Sequence, residues 1–334
     1  MDSKIKLLRY FDRVQGILDG EFLPPIVADV DLVNGLCNLN CEWCCQRGSQ
    51  ETKKTTFMPM DTIKKMGLFC KKWGVKSWRI AGDSEPTLNP NIHYLFRSGH
   101  EHGISMGLIT NGVLLDKVKD LHLLSWLGVS LDAATAKTWS QLKGSPEKNF
   151  YRIIDNIKRI HDSIPGLEVS IKFIRWSDEI HLGRKELSPN LTAKHKKKPT
   201  PGRQKDNYAD AEMLPQFAKE LGCKYILRDA FPKDTARQYR FEVCRGTPLY
   251  ATFGADHKFY LCCDVRTGYI LTDDYTKNDW HELYDLWGSQ KHKDLIASIN
   301  PKKCKFCSKE WLNTIIENII LDGKYSNEYQ VNFI

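Results

Sequence analysis

From residue 26 onward, short apolar runs alternate with stretches whose apolar residues recur every three or four positions. The two periods predict alternating strands and helices. Residues 26–33 (IVADVDLV) form the first expected strand, with period-two alternation in its second half. Residues 60–73 predict a helix, because Ile63, Met66, Phe69, Cys70 and Trp73 share one face. Further strands are expected at 77–81, 104–110, 127–131, 167–174 and 224–229. Helices are expected at 92–102, 114–124, 135–142, 150–161 and 211–221. Ahead of them, Ile5, Leu7, Leu8, Phe11, Val14, Ile17 and Leu18 mark a short amphipathic helix. Charges are scattered through this N-terminal stretch, so it does not read as a secretion signal.

Six strand–helix repeats imply an α/β fold with a parallel sheet and right-handed crossovers. Six are too few for a closed eight-fold barrel, so an open, partial (β/α)6 barrel is expected. Chemistry in such architectures gathers at the carboxyl ends of the strands. The expected organisation is an N-terminal helical extension over 1–25, a barrel over 26–232 and a small hairpin-and-helix domain over 240–325.

With 41% apolar and 27% charged residues, the composition is that of an ordinary globular protein. No apolar run is long enough to span a bilayer, so no membrane association is expected. The net charge of +8 is concentrated in residues 184–205, where eight Lys or Arg face one acid, Glu186. Pro189, Pro199, Pro201 and Gly202 make this segment a mobile insertion by expectation. It is either a solvated loop or an arm for an anionic partner such as nucleic acid, and the solvated loop is the simpler reading.

There are eleven cysteines, an odd number, with no signal sequence, which is consistent with a reducing cytoplasm. Cys37, Cys41 and Cys44 stand in a C-x3-C-x2-C run immediately after the first strand. Zinc ribbons use paired C-x2-C knuckles instead, and disulfide frameworks belong to small secreted domains. Three thiolates in one loop can hold three irons of a 4Fe-4S cluster and leave the fourth iron open to a chelating ligand. Cys45 and Cys70 read as small buried hydrophobes, and Cys223 as a core residue opening the sixth strand.

This motif, with Trp43 just before its third cysteine, resembles the radical S-adenosylmethionine (SAM) superfamily, whose partial barrel matches the fold expected above. After the second strand, Gly82-Asp83-Ser84-Glu85-Pro86 resembles the superfamily's Gly-Gly-Glu-Pro element, with Asp83-Ser84 in place of glycine. The resemblance implies that this element meets the amino group of SAM, through Glu85 or Asp83. Asn111 after the third strand, and Ser130 and Asp132 after the fourth, resemble positions near the methionine and ribose of SAM. Each also serves as an ordinary cap or turn residue. Lys172, Arg175, Arg228 and Asp229 on strands five and six either line a substrate cavity or, more simply, are exposed charge at strand ends.

Near the C-terminus, Cys304 and Cys307 form a C-x2-C knuckle. Cys262 closes a hairpin-like run with a turn at Gly254-Ala255-Asp256-His257, Cys244 precedes it, and a helix is expected over 310–321. The segment looks like the twitch domain, a short relative of the SPASM extension, which implies one auxiliary 4Fe-4S cluster on Cys244, Cys262, Cys304 and Cys307. Cys263 competes with Cys262 as a ligand, and a structural zinc site is the chemical alternative.

Taken together, the resemblance implies an oxidoreductase. It would cleave SAM reductively to a 5′-deoxyadenosyl radical, abstract hydrogen from a small polar substrate (sugar, cyclitol or nucleotide) and pass an electron to the auxiliary cluster. A flavodoxin- or ferredoxin-type donor would supply the first electron. The first twenty-five residues are too short for a peptide-recognition domain, which favours a small molecule. Peptide-modifying and RNA-modifying relatives of the superfamily are the alternatives.

Overall fold

The computed structural model describes residues 5–46, 54–182, 205–233, 239–265, 268–304 and 306–321. Nearly all of the basic segment 184–205 lies outside these residues. The chain divides into two compact units. One comprises Met1–Asp29, Leu68–Ser77 and Thr235–Ile334, and the other Val30–Gly67 and Trp78–Asp234. The chain opens with helix α1 (Phe11–Asp19), ended by Gly20 in the left-handed conformation, and strand β1 (Val27–Asp31).

The second unit carries the barrel elements. Strands β2 (Val33–Asn34) and β3 (Thr56–Phe57) form a short antiparallel pair beside the cysteine loop. Helix α2 (Met60–Trp73) follows, then β4 (Ser77–Ala81), α3 (Ile92–Glu101), β5 (Ser105–Thr110) and β6 (Trp126–Ser130). After them come α4 (Ala136–Lys143), α5 (Lys148–Ser163), β7 (Glu168–Arg175), α6 (Tyr208–Glu220) and β8 (Lys224–Asp229). The strands lie in the order β1-β4-β5-β6-β7-β8, with parallel pairing from β5 to β8. This is the expected open (β/α)6 arrangement.

Alternation along the strands sorts the two faces. In β4, Trp78 and Ile80 are buried, and a Cβ placed on Gly99 of α3 would meet the Trp78 ring at 2.8 Å. That face packs on the helices, and Ser77, Arg79 and Ala81 point to the other. Helix α5 buries Phe150, Ile153, Ile157 and Ile160 on one stripe, each worth about 1.5–3 kcal/mol of transfer free energy.

One expected helix does not form. Residues 114–124 make only two 3-10 turns, Leu115–Lys117 and Leu121–Leu123. Asp120 between them sits at φ +62°, a left-handed conformation that no helix can continue through. Leu115 and Leu121 are buried all the same, so helix-like spacing here reflects two separate anchors in the core.

In the first unit, β9 (Tyr250–Phe253) and β10 (Phe259–Tyr260) form the expected hairpin, and β11 (Ile270–Thr272) pairs with β10. The turn is closed by Gly254 N–H donating to Lys258 O (2.9 Å). Helices α7 (His281–Leu286), α8 (Gln290–Ala297) and α9 (Glu310–Thr314) complete it, and α9 continues as a π-helix over Ile315–Leu321. Val14 and Ile17 of α1 pack with Leu249, Leu312 and Ile316. Phe69 and Trp73 join an aromatic cluster with Phe253, Phe259, Trp280, Tyr284 and Trp287. Among the described residues, no helix is long and apolar enough to cross a membrane.

Candidate functional site

The cysteine loop leaves the short β2 strand and is gripped from three sides. On the first, Leu36 N–H donates to Ser84 Oγ (3.1 Å), Glu85 N–H donates to Leu36 O (3.3 Å), and Ser84 Oγ donates to Asp83 (2.9 Å). On the second, Asn111 Nδ2 donates to Asn38 Oδ1 (2.7 Å). On the third, Asn40 N–H donates to Lys143 O (2.9 Å) and Glu42 N–H to Leu142 O (3.0 Å). Gly144 ends α4 at φ +60°, and a Cβ there would come within 3.1 Å of Asn40. The end of α4 thereby forms a bare shelf under the loop.

Within the loop, Cys37, Cys41 and Cys44 are half-buried thiols outside any disulfide. Burial pushes Cys37 up to about 12, helped by the charges of Glu85, Cys41 and Cys44. Thiolates so placed repel one another and are stable only around a positive centre. The donor set therefore fits an iron–sulfur cluster.

The loop's surroundings are built from buried charge. Glu85 is 3% exposed, and its carboxylate accepts from Thr87 Oγ1 (2.7 Å), Thr87 N (3.1 Å), Thr110 Oγ1 (2.6 Å) and Asn111 N (2.8 Å). Burial raises its pKa, and these four donors work against that rise. Glu85 thus locks the end of β4 to the end of β5. Gly82, at φ +134°, brings the backbone up to Asp31, where a Cβ would stand 3.1 Å from Oδ1.

Asp132, at φ +61°, accepts from Ile174 N (2.6 Å) and pairs with the Lys143 ammonium, both side chains being 3% exposed. Burial opposes the Lys143 charge, but Asp132, Cys41 and Cys37 together raise its pKa. The ammonium also lies 5.5 Å from the centre of the Trp43 ring. Trp43 is buried against Trp176 at 5.4 Å, with Leu142, Ala230 and Ile174 around it. Ser130 ends β6, half-buried.

Of the residues expected to contact SAM, Ser84, Glu85 and Asn111 are joined to the cysteine loop by hydrogen bonds. Asp132 reaches it through Lys143. Lys143, Asn207 and Asp210 escaped the sequence reading. Asn207 is fully buried and donates to Asp132 O (2.8 Å) and Ile174 O (2.9 Å), while Asp210 accepts from Ala134 N (2.7 Å) and Thr135 N (2.8 Å). Asn207 and Asp210, three positions apart around the start of α6, signalled a helix N-terminus. Nothing in the sequence tied them to the ends of β6 and β7.

In the other unit, Cys244, Cys262, Cys304 and Cys307 line one small cavity with Phe241, Tyr269, Phe306 and Lys309. Among the described residues, no three His, Cys, Asp or Glu side chains converge tightly enough to hold a single ion. The sulfur of Cys263, beside that cavity, takes a hydrogen bond from Lys309 Nζ (3.1 Å) and lies near Asp264 (3.7 Å). Burial pushes Cys307 up to about 12 and also raises Cys244, whereas a hydrogen bond from Cys263 lowers Cys262. Burial opposes the Lys309 charge, but Cys263, Cys262, Asp264 and Asp29 hold it protonated. Asn313 of α9 reaches both Cys244 (3.9 Å) and Cys307 (4.0 Å). Of the remaining cysteines, Cys70 is buried as expected, while Cys45 and Cys223 are only half-buried.

Residues 33–179 match the Radical SAM superfamily. An S-adenosyl-L-methionine-dependent tRNA 4-demethylwyosine synthase of Oryza sativa subsp. japonica is 35% identical over 79 residues, which is 23% of this chain and 12% of that protein. Its counterpart from Mus musculus is 31% identical over 87 residues, again 12% of its length. The chain thus matches only about an eighth of these curated relatives. Among solved structures, Streptococcus suis SuiB bound to precursor peptide SuiA superposes with a TM-score of 0.54 at 15% identity, over 90% of this chain and 73% of SuiB. SuiB bound to S-adenosylmethionine gives 0.53, over 89% and 74%. At this identity the likeness speaks to the fold.

Proposed function

We propose that this protein, whose residues 33–179 match the Radical SAM superfamily, is a radical SAM enzyme that oxidises a small polar substrate, using a second iron–sulfur cluster as electron acceptor. The observation that carries the proposal is the pairing of two separate cysteine sets. One is a loop of three thiols gripped at strand ends, and the other is four thiols around a cavity.

Cys37, Cys41 and Cys44 would hold the first 4Fe-4S cluster. With SAM bound, that cluster supplies a 5′-deoxyadenosyl radical able to take hydrogen from an unactivated carbon. The chain's own residues keep the loop rigid. Ser84, Asn111 and the end of α4 fix its backbone, and Lys143 sets a buried positive charge beside the thiolates. Gly82 and Ser130 are the proposed SAM contacts that remain on the strand ends. Trp43, Asp83, Ser84, Glu85, Asn111 and Asp132 act by holding those ends in place, because their side chains are engaged with protein.

Cys244, Cys262, Cys304 and Cys307 would hold the second cluster. Four sulfurs lining one cavity supply the number of thiolates that a four-iron cube takes. Cys262 is the proposed ligand, because it lines the cavity, while Cys263 beside it takes a hydrogen bond from Lys309. A flavodoxin- or ferredoxin-type protein in the same compartment, the cytoplasm, would supply the electron.

The test is anaerobic reconstitution followed by SAM and a strong reductant. About eight irons per chain and formation of 5′-deoxyadenosine are expected. Deuterium transfer from labelled sugars, cyclitols or nucleotides into 5′-deoxyadenosine would then identify the substrate. Transfer from peptide or RNA alone would overturn the small-molecule reading, and zinc in the second site would overturn the electron-acceptor role.

A further inference from the structure

Strands β7 and β8 carry four charged residues near their carboxyl ends, and the structure divides them between two faces. Arg175 and Asp229 pair with each other at 2.7 Å, exposed at the end of the face that buries Ile171 and Phe173. Lys172 and Arg228 lie on the opposite face, because Lys172 is opposite Ile226 and Ser130 in register, and Arg228 is opposite Ile174. Ile174 packs with Trp43 of the cysteine loop, so this is the face that the loop covers. Arg79 of β4 shares it, pointing away from the helix-packed Trp78 and Ile80.

The lysine is given room to lie there. A Cβ on Gly128 would stand 3.0 Å from Lys172 Cδ, and one on Gly107 would collide with the Trp126 ring at 2.0 Å. Two glycines on one face thus leave space for an aromatic ring and an aliphatic stem to lie flat on the sheet. Burial lowers Lys172 to about 8, and Arg228 and Arg79 push it the same way. The acid acting on Lys172 is Asp132, whose two oxygens are already taken by Lys143 and the Ile174 amide. Neither Lys172 nor Arg228 makes a hydrogen bond or ion pair within the described residues. Lys172 and Arg228 share one face, with no uncommitted acid among those acting on Lys172. Such a pair is unfavourable until an anion joins it.

We propose that Lys172 and Arg228 bind an oxyanion group of the substrate, a phosphate or a carboxylate, at the carboxyl end of the parallel strands. This rests on the functional reading above and narrows it: the small polar substrate is an anionic one. An ammonium and a guanidinium side by side supply charge-assisted hydrogen bonds to such a group and fix which carbon faces the cysteine loop.

The test uses the full chain, reconstituted under anaerobic conditions, with inorganic pyrophosphate and succinate as probes in isothermal titration, before and after saturation with SAM. At least one probe should bind and stay bound with SAM present, and which one binds distinguishes phosphate from carboxylate. Lys172→Met and Arg228→Gln should each weaken it by about tenfold or more, while Lys172→Arg retains most of the affinity. Arg228 lies on an exposed edge strand, so its substitution reports on binding without a folding penalty. Absence of binding by either probe, or binding that survives both substitutions, overturns the proposal. Displacement of the probe by SAM also overturns it, since the cations then hold the cofactor's own carboxylate. Binding is read without turnover, so a failure of SAM cleavage would count against the radical chemistry and leave this result standing.

Discussion

The two cysteine sets solve the same problem in opposite ways. In the barrel unit, three cysteines lie within eight residues of one loop, and the protein's effort goes into gripping that loop from outside. In the other unit, four cysteines from positions 244, 262, 304 and 307 line one cavity. The neighbouring cations differ too. Lys143 is neutralised by Asp132 and acts on the thiols through space, whereas Lys309 donates directly to Cys263. A compact loop tolerates an open coordination position because its geometry is set by the backbone around it. A dispersed set of four, were it to take a metal as proposed, would saturate it and staple the fold.

The sharpest break of this comparison is loss of one set at a time. Replacing Cys37, Cys41 and Cys44 together by alanine should abolish 5′-deoxyadenosine formation and leave about four irons, with the fold intact by circular dichroism. Replacing Cys244 and Cys304 should also leave about four irons, but with SAM cleavage retained, substrate oxidation lost and thermal stability reduced. Equal loss of SAM cleavage in both variants would erase the distinction between the sets.

Lys143→Met should cost about 3–5 kcal/mol in urea denaturation, because it strands the buried Asp132 carboxylate. Removing both charges together, as Lys143→Met with Asp132→Asn, should recover part of that loss. A cost under 1 kcal/mol would mean that the pair is solvated. The smallest effect is expected for Ser84→Ala, which removes the hydroxyl that accepts from Leu36 N–H. About 1 kcal/mol of stability should go, together with a modest rise in the KM for SAM as the loop loosens.

Amino-acid order alone determined most of the architecture and the first metal loop. Period-two runs and 3–4 spacing located the six barrel strands within a residue or two, since each strand buries one alternating set and each helix one stripe. The C-x3-C-x2-C run was legible because all its ligands are near neighbours. Residues 114–124 misled because their spacing mimics a helix, and only the positive φ at Asp120 shows that two turns separately insert leucines into the core.

Tertiary structure decided everything that depends on partners distant in sequence. It shows Glu85 and Asp132 engaged inside the protein, one by Thr110 and Asn111, the other by Lys143 and Ile174. It places Cys262 in the lining of the cavity and the sulfur of Cys263 beside Lys309 Nζ. It also sets Lys172 and Arg228 on the face opposite Arg175 and Asp229. A local pattern records which way a residue points within its own element. The charge, hydrogen bond or sulfur it meets there comes from another element, and only packing makes that choice.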